Sequence, residues 1–160
     1  MNGCVRLGRV LAMILTLIAA FIMGFNKYTH ITNTIYISIK ATNSSAFVYF
    51  TIANAVVFVY SALSLCLSCS KNMGPVLELP LTIGDVAAMI ALFTGNAAAI
   101  AIEVVTWKSI PQFGWRSFCS ITKNFCGIGI AAVTISSLAA LIYFLLLLLS
   151  LVTIHKKYQN

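Results

Sequence analysis

The chain has 160 residues, 61% of them apolar and only 8% charged, with a mean hydropathy of +1.00 and a formal net charge of +7. Three acidic and ten basic residues cannot coat a water-soluble domain of this size, so the composition points to one integral membrane domain over residues 1–160. The basic residues are scattered through the ends and loops and form no stripe, which argues against nucleic acid and suits anionic lipid head groups.

Four apolar stretches predict an all-α bundle of four membrane-spanning helices, at about residues 8–25, 46–67, 81–105 and 127–154. The first follows a short basic start containing Arg6 and Arg9. It reads as a retained span rather than a signal peptide, because the run from Val10 to Phe25 is about long enough to cross and no clean Ala-x-Ala site precedes Lys27. Ala12, Thr16, Ala20 and Gly24 recur every four residues and predict a narrow small-residue face for helix packing.

Residues 26–45 form a polar loop with a strand-like patch from Thr34 to Ile39 and a glycosylation sequon at Asn43-Ser44-Ser45, close to the membrane. The second span carries Asn54 and Tyr60, polar groups that in lipid bond a neighbouring helix. It ends in Cys66-x-x-Cys69 and the turn-rich stretch Lys71 to Pro75. Pro80 opens the third span in the first helical turn, where its missing N–H is no loss.

Along the third span, at about 100° per residue, Asp85, Leu92, Asn96 and Glu103 project on one side. Gly84, Ala87, Ala91, Gly95 and Ala98 cluster on another, and both faces are expected to point into the bundle. The loop 106–126 carries Trp107, Trp115, Cys119 and Cys126 near the interface, the depth tryptophan prefers. The fourth span opens with the small residues Gly127, Gly129, Ala131, Ala132, Ser136 and Ala140. It closes with Leu145 to Leu149, expected to face lipid, before His155, Lys156 and Lys157.

Four spans put both termini on one side. Arg6, Arg9, Lys71, Lys156 and Lys157 flank that side, and Lys27, Lys40, Lys108, Arg116 and Lys123 the other, so basic-residue bias does not set orientation. The sequon and the Cys119/Cys126 pair share the loop side, whereas Cys4, Cys66 and Cys69 fall on the terminal side; this predicts cytosolic termini.

An intramembrane carboxylate is costly unless paired, which makes Asp85 the position to explain. Arg9 lies at a matching depth from the same side, to within about one 5 Å helical turn, and predicts an Arg9–Asp85 ion pair that clamps helices one and three. A proton or ion relay is the lesser reading, since on that face only Asp85 and Glu103 ionise, about 27 Å apart by helical rise. A loop-closing disulfide is the first reading of Cys119 and Cys126. Cys66 and Cys69 carry only a weak redox signal, juxtamembrane thiols being more often inert or palmitoylated. No nucleotide loop, metal cluster or catalytic triad is legible, and His30 and His155 fall on opposite sides, so no cofactor, metal or small-molecule substrate is expected.

Several stretches together resemble the plant Casparian strip membrane protein-like family. They are Arg9 to Ala20 with Met23 to Lys27 in the first span, and Ala46 to Phe50, Ala53-Asn54-Ala55 and Tyr60-Ser61 in the second. Asp85 matches the family's acidic position in the third span and Arg9 its basic partner; Trp115, Cys119, Phe125 and Cys126 match its W-x3-C-x5-FC loop pattern. The resemblance implies a MARVEL-type four-helix membrane protein with cytosolic termini that forms homodimers and heterodimers in the plasma membrane. Founding members scaffold a membrane domain that directs local lignification of the cell wall. Their first outer loop carries an E-[ST]-L-P-F-F-type stretch that residues 26–45 lack, so the likeness is to the CASP-like relatives. A non-enzymatic scaffold is the leading expectation; a small transporter or channel subunit using Asp85, Asn96 and Glu103 on the polar face of the third span, and a membrane thiol oxidoreductase, follow.

Overall fold

The structure, a computed structural model, describes residues 3–32, 35–69, 78–108, 119 and 123–159. Its elements are α1 (Gly3–Gly24), β1 (Lys27–Thr32), β2 (Ile35–Lys40), a short 3₁₀ turn (Ala41–Asn43), α2 (Ser45–Cys69), α3 (Glu78–Trp107) and α4 (Lys123–Gln159). Each helix holds a stretch long and apolar enough to cross a bilayer: Val5–Gly24, Ser45–Leu67, Pro80–Trp107 and Lys123–Val152. At 1.5 Å per residue the 30-residue α3 and the 37-residue α4 run about 45 Å and 55 Å, well beyond a hydrocarbon core of about 30 Å. Pro80 is the third residue of α3, within the turn whose N–H groups have no intrahelical acceptor.

The helices stand as a square in which α1 and α3 each pack against both α2 and α4, leaving α1 and α3 at opposite corners. One seam of buried positions runs along each of the four helices, with further buried residues such as Gly95, Val133 and Ala140 beside it. The seam positions are Arg9, Ala12, Thr16, Ala19, Met23 and Asn26 in α1 and just beyond it, and Phe50, Ala53, Asn54, Val57, Ser61 and Ser64 in α2. In α3 they are Asp85, Ala88, Leu92, Asn96 and Ala99, and in α4 Gly129, Ala132, Ser136, Ala139, Tyr143 and Leu146. Steps of three and four, with Ala53 and Asn54 adjacent on α2, average about 3.5 residues along the seam, the spacing of helices that cross at about 20°.

That spacing corrects three sequence expectations. A strict four-residue spacing turns about 40° per step, so the Ala12/Thr16 face has rotated by about 120° at Gly24, which is exposed, while Ala20 is half-buried. On α3 the same geometry turns Ala87 outward, so the small-residue face entering the bundle is Gly84, Ala91, Gly95 and Ala98. In the terminal leucine run Leu145, Leu148 and Leu149 face outward, but Leu146 is buried and packs on Gly8 of α1.

Where a polar loop was expected, β1 and β2 pair antiparallel with Lys27 opposite Lys40 and Thr32 opposite Ile35; the strand-like patch falls, from Ile35 onward, in β2. The base of this hairpin is tied back to the bundle: the Ala41 N–H donates to the Asn26 carbonyl and the Asn26 side-chain N–H₂ to the Phe125 carbonyl, each at 3.0 Å. Ser44 caps α2, its carbonyl taking the first helical bond from Val48, so the exposed sequon residue Asn43 sits one residue before the cap. A disulfide joins Cys119 to Cys126 at the same end, both residues buried. Trp115 and the stretch from Lys71 to Pro75 lie outside the described residues, as do the side chains of His30, Cys69 and His155.

Candidate functional site

Lipid tails are as apolar as leucine, so helices in a bilayer associate through close packing and interhelical polar contacts. The buried polar side chains of this bundle fall into three layers. The layer nearest the termini is the densest. Arg9, on the first buried position of α1, reaches across the square to α3, where its Nη2 lies 2.6 Å from Asp85 Oδ2; Arg9 is 5% exposed and Asp85 2%. The second guanidinium arm donates to the Ser64 hydroxyl of α2. Tyr60, also on α2, places its hydroxyl 2.8 Å from Asp85 Oδ1 and 2.8 Å from the Leu81 carbonyl. Both carboxylate oxygens are thus occupied, and α1, α2 and α3 meet on one ion pair.

Glycine makes the room for it. A Cβ on Gly84 would stand 2.5 Å from the Tyr60 ring edge and hydroxyl, so only a residue without a side chain lets the phenol reach Asp85. One turn of α2 deeper, Ser61 and Tyr143 of α4 share a buried hydroxyl–hydroxyl bond, which brings the fourth helix into the same end of the bundle. Thr82 and Ser150, 3.1 Å apart, tie α3 to α4 near the termini.

The middle layer pairs α2 and α3 with α4. Asn54 donates to the Phe50 carbonyl at 2.9 Å and accepts from the Ser136 hydroxyl at 2.9 Å. Asn96 donates to Ser137 at 3.3 Å. Here α2 and α3 come close, a Cβ on Gly95 falling 3.3 Å from Ala53 Cβ and 3.6 Å from the Phe50 backbone. The third layer, toward the hairpin, holds Glu103, which packs on Gly129 of α4. Its Oε1 is buried and has no hydrogen-bond partner among the described residues.

Asp85, Asn96 and Glu103 therefore share one side of α3 without forming a continuous polar line. Ala88 and Leu92 fill the interval between the first two and Ala99 that between the last two, all 5% exposed or less. Cys66 is an exposed free thiol at the end of α2. Ser64, Tyr143 and Ser137 escaped the sequence reading, and Ser61 and Ser136 entered it without a bonding role, because serine and tyrosine are common in such helices. The signal that finds them is their three-and-four spacing from Asn54, Val57 and Ala140.

The Casparian strip membrane protein domain matches residues 4–142. Similar curated proteins include CASP-like protein 1E1 of Musa acuminata, 33% identical over 92% of this chain and 80% of its own length. CASP-like protein 1E1 of Ricinus communis is 34% identical over 93% and 82%, and CASP-like protein 1E2 of Vitis vinifera 31% identical over 94% and 83%. No solved structure matches. With four helices fit to span a bilayer and this domain over most of its length, the chain is a membrane protein that belongs to the Casparian strip membrane protein (CASP-like) family.

Proposed function

We propose that the chain is a non-enzymatic plasma-membrane scaffold with cytosolic termini, which assembles with itself and with related chains into membrane domains that organise cell-wall modification. The observation that carries this reading is the buried Arg9–Asp85–Tyr60–Ser64 network. Its charges are spent on joining three helices across the diagonal of the square. A relay needs ionisable groups that exchange partners along a wet path, whereas here Ala88, Leu92 and Ala99 separate the polar layers. The outward face suits lateral contact, being made of side chains such as Ile14, Ile52, Val56, Ile90 and Leu141.

Crosslinking in native plant membranes followed by purification of the tagged chain tests the proposal. The expected result is recovery of untagged copies and of related four-span chains, with slow exchange of the fluorescently tagged chain within membrane patches. Recovery as a monomer only overturns it. So does ion or solute flux in reconstituted vesicles that is abolished by Asp85→Asn and Glu103→Gln, which is the outcome the transporter alternative requires.

A further inference from the structure

The hydrogen bonds at the base of the hairpin gather three lysines from distant parts of the chain. Asn26, which is 5% exposed, takes the Ala41 N–H on its carbonyl and holds the Phe125 carbonyl with its side-chain N–H₂, each at 3.0 Å. Lys27 follows Asn26, Lys40 precedes Ala41 and stands opposite Lys27 in the strand register, and Lys123, two residues before Phe125, opens α4. Lys27 and Lys123 are exposed, and neither has an ion-pair partner among the described residues. No acidic residue occurs in 26–45 or 106–126, against the five cations Lys27, Lys40, Lys108, Arg116 and Lys123. Glu103, on the last turns of α3, has its Oε1 buried against Gly129 and cannot serve them. The first turn of α4 has no acidic residue either, so the positive end of that helix adds to the charge. Like charges on opposed residues of a strand pair repel, and an anion at this corner removes the repulsion.

Depth and the neighbouring apolar surface select the anion. The membrane-spanning stretches of α1 and α4 end here, at Gly24 and Lys123, so the lysines stand at the level of lipid head groups. Helices α1 and α4 are neighbours, with Ile142 of α4 facing Gly8 of α1; Ile135 and Ile128 continue that flank of α4 in seven-residue steps toward the lysines. Ile128 on α4 and Ile18 and Phe25 on α1 are 42%, 40% and 75% exposed, an apolar strip directly beneath the charges. We infer that this corner binds one anionic glycerophospholipid, its phosphate at the cluster of Lys27, Lys40 and Lys123 and an acyl chain along Phe25, Ile18 and Ile128. Ammonium groups meet a phosphate as compact point charges, without the fixed geometry a guanidinium imposes. A zwitterionic head would bring its own cation to a corner that already holds three. A soluble polyanion would answer the lysines and leave the strip beneath them uncovered. The inference does not rest on the scaffold reading, and its failure leaves that reading standing.

The test uses the full chain in phosphatidylcholine nanodiscs doped with phosphatidylglycerol that carries a photoreactive group high on one acyl chain, with labelled residues mapped by mass spectrometry. Labelling is expected at Ile18, Phe25 and Ile128 ahead of outward positions on the other helices such as Ile52 and Ile90, and a phosphatidylcholine probe with the same group should show no such preference. Lys27→Gln and Lys123→Gln should each lower the labelling about fivefold, the factor of one basic residue at an anionic surface, and together about twenty-five-fold. Lys27→Arg/Lys123→Arg, which keeps both charges, should retain it. Lys156→Gln/Lys157→Gln, near the C-terminus, should leave it unchanged. Equal labelling by the two probes, undiminished labelling in the Gln variants, or an equal loss in Lys156→Gln/Lys157→Gln each overturns the assignment. So does retention of soluble polygalacturonate by Lys27 and Lys123 in nanodiscs where phosphatidylglycerol shows no preference.

Discussion

Replacing Asp85 by Asn leaves the volume of the site nearly unchanged and removes the only carboxylate facing Arg9 among the described residues. The guanidinium then remains 5% exposed with its positive charge uncompensated. Breaking a buried pair from one side costs about 3–5 kcal/mol, a large share of the stability of any domain of this size. Removing both charges is a different perturbation. In Arg9→Met/Asp85→Leu nothing is left unpaired, and replacement of a buried pair by apolar groups is often neutral or better, so the double variant should lie within about 1–2 kcal/mol of the native chain. The single variants and the double variant therefore form a cycle with a coupling of several kcal/mol. Reversible unfolding in lipid bicelles, followed by steric trapping, measures each corner. A cost below about 1 kcal/mol for Asp85→Asn, the worth of an exposed surface pair, would refute the clamp, as would a double variant equal to the sum of the singles.

Gly84→Ala should act through Tyr60: the added methyl displaces the phenol from Asp85 and costs about 1.5–3 kcal/mol, and in a Tyr60→Phe background the same change should cost distinctly less. Gly127 and Gly129 predict opposite signs in the same unfolding assay. A Cβ on Gly127 meets nothing within 4 Å, so Gly127→Ala should stabilise by about 0.5–1 kcal/mol through helix propensity, whereas Gly129→Ala drives into the Glu103 carboxyl and should destabilise. Cys119 and Cys126 close a short loop, with a sequence separation of 7, so removing the bond should cost about 2.5 kcal/mol by loop entropy. Non-reducing mass spectrometry should recover the two cysteines in one linked peptide; finding both thiols free refutes the pairing.

Spans, their number and the unusual standing of Asp85 were legible in the chain because they follow from one-dimensional quantities. Hydropathy over about 20 residues marks a crossing, and a carboxylate inside such a run requires a partner wherever the run ends up. Arg9 was nameable for the same reason, its depth being a matter of counting residues from the end of a helix. The inward faces were not legible in this way. The four-residue pattern from Ala12 to Gly24 is consistent with a straight helix, yet only the neighbours decide whether the seam follows four-residue or alternating three- and four-residue steps. In this bundle the latter prevails, which places Gly24 and Ala87 outside and Leu146 inside.

The sequence by itself determined that the chain lives in a bilayer, crosses it four times and must neutralise a charge within it. Tertiary structure alone decided that the Arg9–Asp85 pair spans a diagonal, that Ser64 and Tyr60 of α2 complete it, and that Gly84 makes room for the phenol. It also decided that Asn54 and Asn96 find serines on α4 whereas the Glu103 Oε1 is buried against Gly129 without a hydrogen-bond partner among the described residues. The physical reason is that hydropathy is summed along one helix. A hydrogen bond in lipid depends instead on the rotation and separation of two helices, set jointly by every small residue at their contact.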